Sequence, residues 1–254
     1  MSLENLIEVR KNHSFNIKSL EAWFQNNIEN FGPFISIKQF VGGQSNPTFF
    51  ITSEEGNQLI LRKKPPGNLL PSAHAIEREY KVQKALKKTN VPCPEMIALC
   101  EDVNIIGTPF YIMSYIEGKV YESILEVELI KDRKDIYLLM VKMLAELHNI
   151  NYEKLNLADF GKPNNYAQRQ ISRWEKQWNL SKQRDLPEMS SIIDWLNKHL
   201  PEKYDSSIVH GDFRLGNLIF NKDSKRINSV LDWELSTIGD PLADFGYMLY
   251  PYYI

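Results

Sequence analysis

Three polar side chains towards the C-terminus have the types and the spacing that phosphoryl transfer requires. The densest segment is HGDFRLGN at residues 210–217, and a second acidic motif, Asp232-Trp233-Glu234, follows it. A carboxylate on a loop, here Asp212, can accept the proton of an attacking hydroxyl group. An amide oxygen at Asn217 and a carboxylate at Asp232 can hold Mg²⁺ and connect it to phosphates. The pattern therefore predicts Asp212 as a general base and Asn217 and Asp232 as metal ligands.

The neighbouring residues of these motifs have less direct roles. His210 stands two residues before the candidate base, where we expect a hydrogen-bonded organiser of the loop rather than the base itself. Glu234 either faces a second metal ion and its waters or stabilises a turn. Gly211 and Gly216 have the spacing of a P-loop, but Asn217 stands where that motif requires lysine. A Walker-type site is therefore excluded.

Composition narrows the class of protein. The 254 residues are 43% hydrophobic and 24% charged, as in an ordinary globular protein, and the formal net charge of -2 argues against nucleic acid as a partner. The two cysteines, Cys93 and Cys100, have no matching His or Cys cluster, so neither a disulfide framework nor a zinc site is indicated. The charged N-terminus does not fit a signal peptide, and no apolar run is long enough to span a membrane. We expect a cytoplasmic protein without a membrane partner.

The elements that must position these residues fall into two groups. The first half has a one-sided apolar stripe at 18–31, a continuous helical pattern at 73–88, and β-rich runs at 34–41, 48–52, 58–63 and 110–116. From Tyr121 onwards apolar residues recur at helical spacing, and Met140 and Met143 are predicted to lie in the core. A last β-like pair covers 217–220 and 227–231, and a helix is predicted after Asp240-Pro241.

This order of elements predicts an α+β fold with two units. A turn predicted at Glu117-Gly118 ends the last strand of the first half, and the composition shifts to helices from Tyr121, so we place the boundary between residues 117 and 118. The N-terminal unit, residues 1–117, combines a small antiparallel sheet with one main helix. The C-terminal unit, residues 118–254, is mainly helical and carries the catalytic and metal-binding loops.

Four segments resemble the aminoglycoside phosphotransferase and choline kinase superfamily, which has the protein-kinase-like fold. They are FVGGQSNPT at 40–48, LRKKPPG at 61–67, VLDWE at 230–234 and GDPLAD at 239–244. Together they are most similar to the phosphotransferase branch found fused to acyl-CoA dehydrogenases. The resemblance runs from about residue 30 to the end of the chain, and it implies a two-lobed fold with an N-lobe at 1–117 and a C-lobe at 118–254.

The resemblance also implies a set of nucleotide-binding residues. Arg62 falls at the position of the basic residue on the third strand, with neighbouring Lys63 as the alternative phosphate ligand, and Glu79 falls at the acidic partner on the next helix. Asp240 and Asp244 correspond to structural acids that anchor the following helix. The remaining residues are the nucleotide loop, Gly42, Gly43, Gln44, Ser45 and Asn46, and the hinge that would hold adenine, Met113, Ser114 and Tyr115.

From this likeness we expect an ATP- and Mg²⁺-dependent kinase that phosphorylates a hydroxyl group of a small molecule. The branch points to a hydroxyacyl-CoA-like acceptor. The domain of the family continues past the GDPLAD motif, so we expect a C-terminally truncated chain whose aromatic end contacts a further domain or protomer. The alternative is a catalytically silent module that binds a nucleotide.

Overall fold

The structure is a computed structural model, and it describes residues 3–41, 46–65, 75–128, 130–131, 133–202 and 205–253. Within these residues the chain has one larger sheet, two small sheets and eight α-helices, in agreement with the predicted α+β class. Among the same residues, no helix combines the length and the apolar character that crossing a membrane requires.

The larger sheet is antiparallel and lies in the first half of the chain. Its strands pair in the order β1-β2-β3-β4-β6-β5. They are β1 (Leu6–Ile7), β2 (Phe34–Phe40), β3 (Thr48–Ser53), β4 (Gln58–Lys63), β5 (Met96–Cys100) and β6 (Phe110–Ser114). The predicted meander is therefore confirmed, and the turn between β3 and β4 contains Gly56 at a φ of +83°. The strand predicted to reach residue 116 ends at Ser114, where the chain leaves the sheet.

Helices cover both sides of this sheet and form most of the second half. In chain order they are α1 (Ile17–Asn27), α2 (Ile76–Leu86), α3 (Val103–Ile106), α4 (Ile124–Glu128), α5 (Arg133–His148), α6 (Tyr166–Ser181), α7 (Pro187–Lys198) and α8 (Pro241–Leu249). α1 is shorter than the apolar stripe predicted, because the chain becomes extended at Ile28 and then turns at Asn30, which has a left-handed φ of +55°. Phe31 still packs on Phe24, with 5.2 Å between the ring centroids.

The second half has its own core, built on α5 and two short two-stranded sheets. The strands are β7 (Ser207–Val209), β8 (Leu218–Phe220), β9 (Ile227–Val230) and β10 (Thr237–Gly239); β8 and β9 form a hairpin, and β7 pairs with β10. Met140 is buried in this core and Met143 packs against it, as predicted. Trp233 is completely buried in the same cluster. Its burial fixes the backbone between Asp232 and Glu234, the second acidic motif.

Candidate active site

β4 carries two basic residues that point to opposite faces of the sheet. Successive side chains alternate along a strand, so Arg62 and Lys63 cannot serve the same site. Arg62 faces α2 and the second half of the chain, where Glu79 and Asp232 lie. Lys63 lies instead over the Phe15 ring, with Nζ 5.6 Å from its centroid. Of the two alternatives left open by the sequence, the structure directs Arg62 towards the predicted metal motif.

The Arg62 guanidinium contacts three side chains, two through hydrogen bonds from its terminal nitrogens and Glu79 through an ion pair in which Nε lacks hydrogen-bond geometry. Nε lies 2.9 Å from Glu79 Oε2, and Nη2 donates to Asp232 Oδ1 at 2.5 Å. Nη1 donates to Thr48 Oγ1 at 3.3 Å. Burial alone would lower the pKa of Arg62, but Glu79 and Asp232 outweigh this effect and raise it. The guanidinium therefore stays charged and connects the sheet to the segment after β9.

Glu79 is held from three sides within the core. Its side chain is 1% exposed, and it accepts hydrogen bonds from the Tyr111 hydroxyl at 2.9 Å and from Asn46 Nδ2 at 2.6 Å. Burial, followed by the Glu79 charge, raises the pKa of Tyr111 and keeps its hydroxyl a donor. A buried carboxylate requires such partners, because an unpaired charge in the interior is very costly.

Asn46 is the one member of the predicted nucleotide loop that the structure describes; Gly42, Gly43, Gln44 and Ser45 lie outside the described residues. Its amide also approaches Glu234 Oε2 at 3.4 Å. Asn46 is fully buried, and its Oδ1 has no hydrogen-bond partner among the described residues. Asn46 therefore places the end of the loop beside Glu79 and the second acidic motif.

A small, mostly apolar pocket lies beside this network. The end of β6, including predicted hinge residues Met113, Ser114 and Tyr115, forms one wall, and two residues of the second half form another. The cavity has room for about one water molecule, ≈ 10 Å³, so a flat aromatic base could enter only if these walls moved apart. The lining residues are Ile60, Pro94, Met113, Ser114, Tyr115, Ile116, Ile219 and Leu231.

The candidate base and the first of the two predicted metal ligands are in direct contact. Asn217 Nδ2 donates to the Asp212 backbone carbonyl and to Asp212 Oδ2, both at 2.8 Å. These bonds use the nitrogen of the Asn217 amide and leave its oxygen for a cation. The Asp212 side chain is 19% exposed, so it can still be reached from solvent.

Buried polar groups hold the loop that carries Asp212. His210 is fully buried; its Nε2 is 2.9 Å from the Leu231 carbonyl, and its Nδ1 accepts from the Asp212 backbone N–H at 3.2 Å. These partners assign a neutral ring with the proton on Nε2. Asp244 accepts the backbone N–H groups of His210 and Gly211 at 2.6 and 2.7 Å. His210 and Asp244 thus have the contacts expected of structural residues.

Asp232 stands next to Asn217 through the strand pairing. Leu218 pairs with Val230, and the Leu231 N–H donates to the Asn217 carbonyl at 2.8 Å. Asp232 itself has a φ of +64°, a conformation that is uncommon for residues other than glycine and is concentrated at functional sites. The hairpin therefore brings both predicted metal ligands to its open end.

The donor set at this end is compatible with Mg²⁺. An amide oxygen and a carboxylate are hard oxygen ligands, and Mg²⁺ in nucleotide sites commonly keeps waters and binds one or two carboxylates together with phosphates. In the described ranges, no group of three or more His, Cys, Asp or Glu side chains forms a metal centre of its own. A cation here would take its remaining ligands from water or from a bound phosphate group.

Four contacts of the site were not anticipated from the sequence. Thr48 and Tyr111 hold Arg62 and Glu79 from strands on either side, which only strand register reveals. Arg214 Nε lies 3.3 Å from Asp212 Oδ2. The Tyr247 hydroxyl hydrogen-bonds to Asp212, which raises the pKa of Tyr247 to about 12. A sequence signal existed only for Arg214, which lies within the catalytic segment itself.

A small sheet that meets a mainly helical half at a buried Arg–Glu pair, with Asp and Asn on the adjoining loop, defines a kinase-like phosphotransferase. The comparisons with known proteins agree. The model of the phosphotransferase enzyme family matches residues 36–254, and the chain belongs to this family.

Proteins with similar sequences include acyl-CoA dehydrogenase family members. Acyl-CoA dehydrogenase family member 11 of Homo sapiens is 42% identical over 250 residues, which are 96% of this chain and 32% of the relative. Member 10 of Mus musculus is 42% identical over 257 residues, 100% of this chain and 24% of the relative. The chain thus spans about a third or less of the length of these relatives.

Solved structures confirm the two-lobed kinase-like fold. A protein of Ralstonia eutropha, provisionally described as an aminoglycoside phosphotransferase, has a TM-score of 0.82 at 44% identity, covering 95% of this chain and 71% of that one. The GDP complex of aminoglycoside 2'-phosphotransferase-IIIa has a TM-score of 0.70 at 15% identity, covering 93% and 78%. The second likeness concerns the fold alone. Family and fold together support a small-molecule phosphotransferase.

Proposed function

We propose that this chain is an ATP- and Mg²⁺-dependent kinase that transfers the γ-phosphoryl group to an alcohol of a small molecule. One observation carries the proposal. Asp212 and Asn217 hydrogen-bond to each other at the open end of a hairpin, and Asp232 at the same end is tied to the buried Arg62–Glu79 pair. Phosphoryl transfer needs this combination of a positioned base, metal ligands and a fixed cation.

Each residue has one part in the proposed reaction. Asp212 accepts the proton of the acceptor hydroxyl group. At the same time the hydroxyl oxygen forms a bond to the γ-phosphorus, and the bond from that phosphorus to the bridging oxygen of ADP breaks. Arg62, held by Glu79, orients the nucleotide phosphates. Residues 42–46 cover these phosphates, and Met113 and Tyr115 hold adenine. Asn217 and Asp232 would hold Mg²⁺, which neutralises charge on the phosphates when it is bound.

The acceptor belongs to the proposal as well. We infer a hydroxyacyl-CoA-like compound, a proposal supported by the similarity to acyl-CoA dehydrogenase family members 10 and 11. The net charge of -2 supports a small-molecule partner rather than nucleic acid. We place the protein in the cytoplasm, and we propose that its C-terminal end contacts a further domain or protomer.

The test is phosphate transfer by the purified chain. The chain is incubated with Mg²⁺-ATP and a series of hydroxyacyl-CoA esters, with an aminoglycoside as the comparison acceptor, and the phosphorylated product is measured by mass spectrometry. We expect a product with a hydroxyacyl-CoA, and we expect Asp212→Asn to reduce its formation by about 10²–10⁴-fold. Nucleotide binding with no product from any acceptor would support the alternative, a catalytically silent module.

A further inference from the structure

Arg214 is a basic residue beside the candidate base, and the proposed reaction does not yet use it. It lies two residues after Asp212, in the loop between β7 and β8. Its Nε is 3.3 Å from Asp212 Oδ2, and its side chain is 46% exposed. In the described part of the chain, the two terminal nitrogens of its guanidinium have no hydrogen-bond acceptor. These terminal nitrogens are therefore available to a ligand.

The loop leaves space for this guanidinium at Gly216, next to the candidate base. Gly216 packs against it, and a Cβ atom added at Gly216 would overlap Arg214 Nη1. The φ of Gly216 is not in the left-handed region, so backbone conformation does not require glycine at this position. What the missing side chain provides is room for the guanidinium, folded back towards Asp212.

The two arginines of the site differ in what they can still bind. Arg62 donates hydrogen bonds from Nη1 and Nη2, and it is ion-paired with the two carboxylates of Glu79 and Asp232. Among the described residues, Arg214 is paired with one carboxylate, through Nε, and this carboxylate accepts a proton in the proposed reaction. In the part of the chain that the structure describes, the terminal N–H groups of Arg214 therefore remain available next to the candidate base. A phosphoryl group that is being transferred to the acceptor could bind there.

We propose that Arg214 is a catalytic residue that binds the γ-phosphoryl group of the nucleoside triphosphate and neutralises its charge during transfer. The inference rests on the function proposed above. A guanidinium presents two parallel N–H groups that match phosphate oxygens, whereas a lysine ammonium offers a single point charge. Because Arg214 contacts the base as well, it can hold the γ-phosphoryl group next to the acceptor hydroxyl.

The test compares ATP with ADP, which lacks the γ-phosphate. Affinities of the wild-type chain and of Arg214→Gln for both nucleotides with Mg²⁺ are measured by isothermal titration calorimetry. We expect Arg214→Gln to weaken ATP binding about tenfold and to leave ADP binding within about twofold, as for loss of one charged hydrogen-bonding partner. Arg226→Gln is the matched control, because Arg226 is exposed at the β8–β9 turn and contacts Asn228.

A second variant tests the geometry without removing the charge. Gly216→Ala displaces the guanidinium from its position, so we expect weaker ATP binding with ADP binding unchanged. In the Arg214→Gln background the same substitution should add nothing, because the group it displaces is gone. Thermal unfolding without nucleotide establishes that each variant is folded.

The outcomes separate the two proposals. Equal loss of ATP and ADP affinity in Arg214→Gln, or no loss of either, overturns the role of Arg214 and leaves the kinase proposal intact. An additive effect of Gly216→Ala in the double variant also overturns it. If the folded wild-type chain binds neither nucleotide, the proposed function fails and the role of Arg214 fails with it.

Discussion

The nucleotide side and the acceptor side of the candidate site are built in different ways. On the nucleotide side, Arg62 and Glu79 are almost fully buried and fixed by Thr48, Tyr111 and Asn46. On the acceptor side, Asp212, Arg214 and Tyr247 form a cluster that is partly open to solvent.

This difference has a physical consequence. A buried ionic network holds one geometry because any displaced member would leave an unpaired charge in the interior. On the acceptor side, the exposed side chains of Arg214 and Tyr247 are held only weakly, since surface ion pairs contribute little free energy. The molecule thus fixes the part that would bind an invariant nucleotide and leaves adaptable the part that would bind the acceptor.

The strongest test of this contrast is removal of the buried carboxylate charge. Glu79→Gln leaves the Arg62 guanidinium under-compensated in the interior, so we expect a loss of about 3 kcal/mol in the free energy of unfolding. Urea denaturation measures it. Glu77→Gln on the same helix is the control, because Glu77 pairs with Lys64 near the surface and should contribute less than about 1 kcal/mol. Equal losses in the two variants would contradict the contrast.

The next effect concerns the acids that anchor the catalytic loop. Asp244 accepts two backbone N–H groups and lies 3.1 Å from His148 Nε2, so Asp244→Asn turns an amide nitrogen towards donors. We expect a loss of about 2 kcal/mol, measured by urea denaturation. Asp240 caps α8 through the Leu242 N–H, and Asn caps helices equally well. Asp240→Asn should therefore be nearly neutral, and a matching loss there would refute the anchoring role of Asp244.

Substitution of one tyrosine on each side of the candidate site compares the two sides most directly. Tyr111→Phe removes a buried donor to Glu79, and we expect it to cost about 1.5 kcal/mol in the free energy of unfolding. Tyr247→Phe removes a hydrogen bond to Asp212 from a side chain that is 44% exposed, so its cost should stay below about 0.5 kcal/mol. Thermal unfolding of both variants under identical conditions ranks them, and a reversed order would contradict the account.

The smallest effect is a gain in stability at Lys63. Burial lowers the pKa of Lys63, and no carboxylate pairs with it among the described residues. The folded protein therefore binds the proton of the Lys63 ammonium more weakly than the unfolded chain does, which lowers the free energy of unfolding. This loss of stability is complete below the lowered pKa, and it disappears as the pH rises to the ordinary pKa of lysine.

Lys63→Met should remove this cost. We expect it to raise the free energy of unfolding by about 1 kcal/mol at neutral pH. The gain should shrink as the pH approaches the ordinary lysine value. A gain that is independent of pH would show that better packing, rather than the charge, is responsible.

The sequence was enough to predict the strands of the larger sheet and which residues belong to the candidate site. It was less informative about the contacts that those residues make. The motif residues Asp212, Asn217 and Asp232 were recognisable because their types and spacing are unusual, and the hairpin does bring Asn217 and Asp232 to one end. β4 was predicted at its observed bounds, Gln58–Lys63, because a turn precedes it and prolines follow.

Other features depend on tertiary structure and left no local signal. β1 is two residues long, too short for any periodicity, and it forms only by pairing with β2. Tyr111 and Thr48 become partners of the ion pair through strand register, which a single strand does not encode. Tyr247 reaches Asp212 because Asp244, one turn earlier on α8, anchors that helix to the catalytic loop.

The central claim is that Asp232 and its neighbours form a nucleotide site that depends on Mg²⁺. The most direct test is thermal stabilisation of the purified chain by ATP with and without Mg²⁺, in the wild type and in Asp232→Asn, because a ligand that binds the native state raises its apparent stability. We predict a shift in Tm that requires Mg²⁺ and is lost in Asp232→Asn. The absence of any shift in the folded wild type, or a shift of equal size in Asp232→Asn, would contradict the claim.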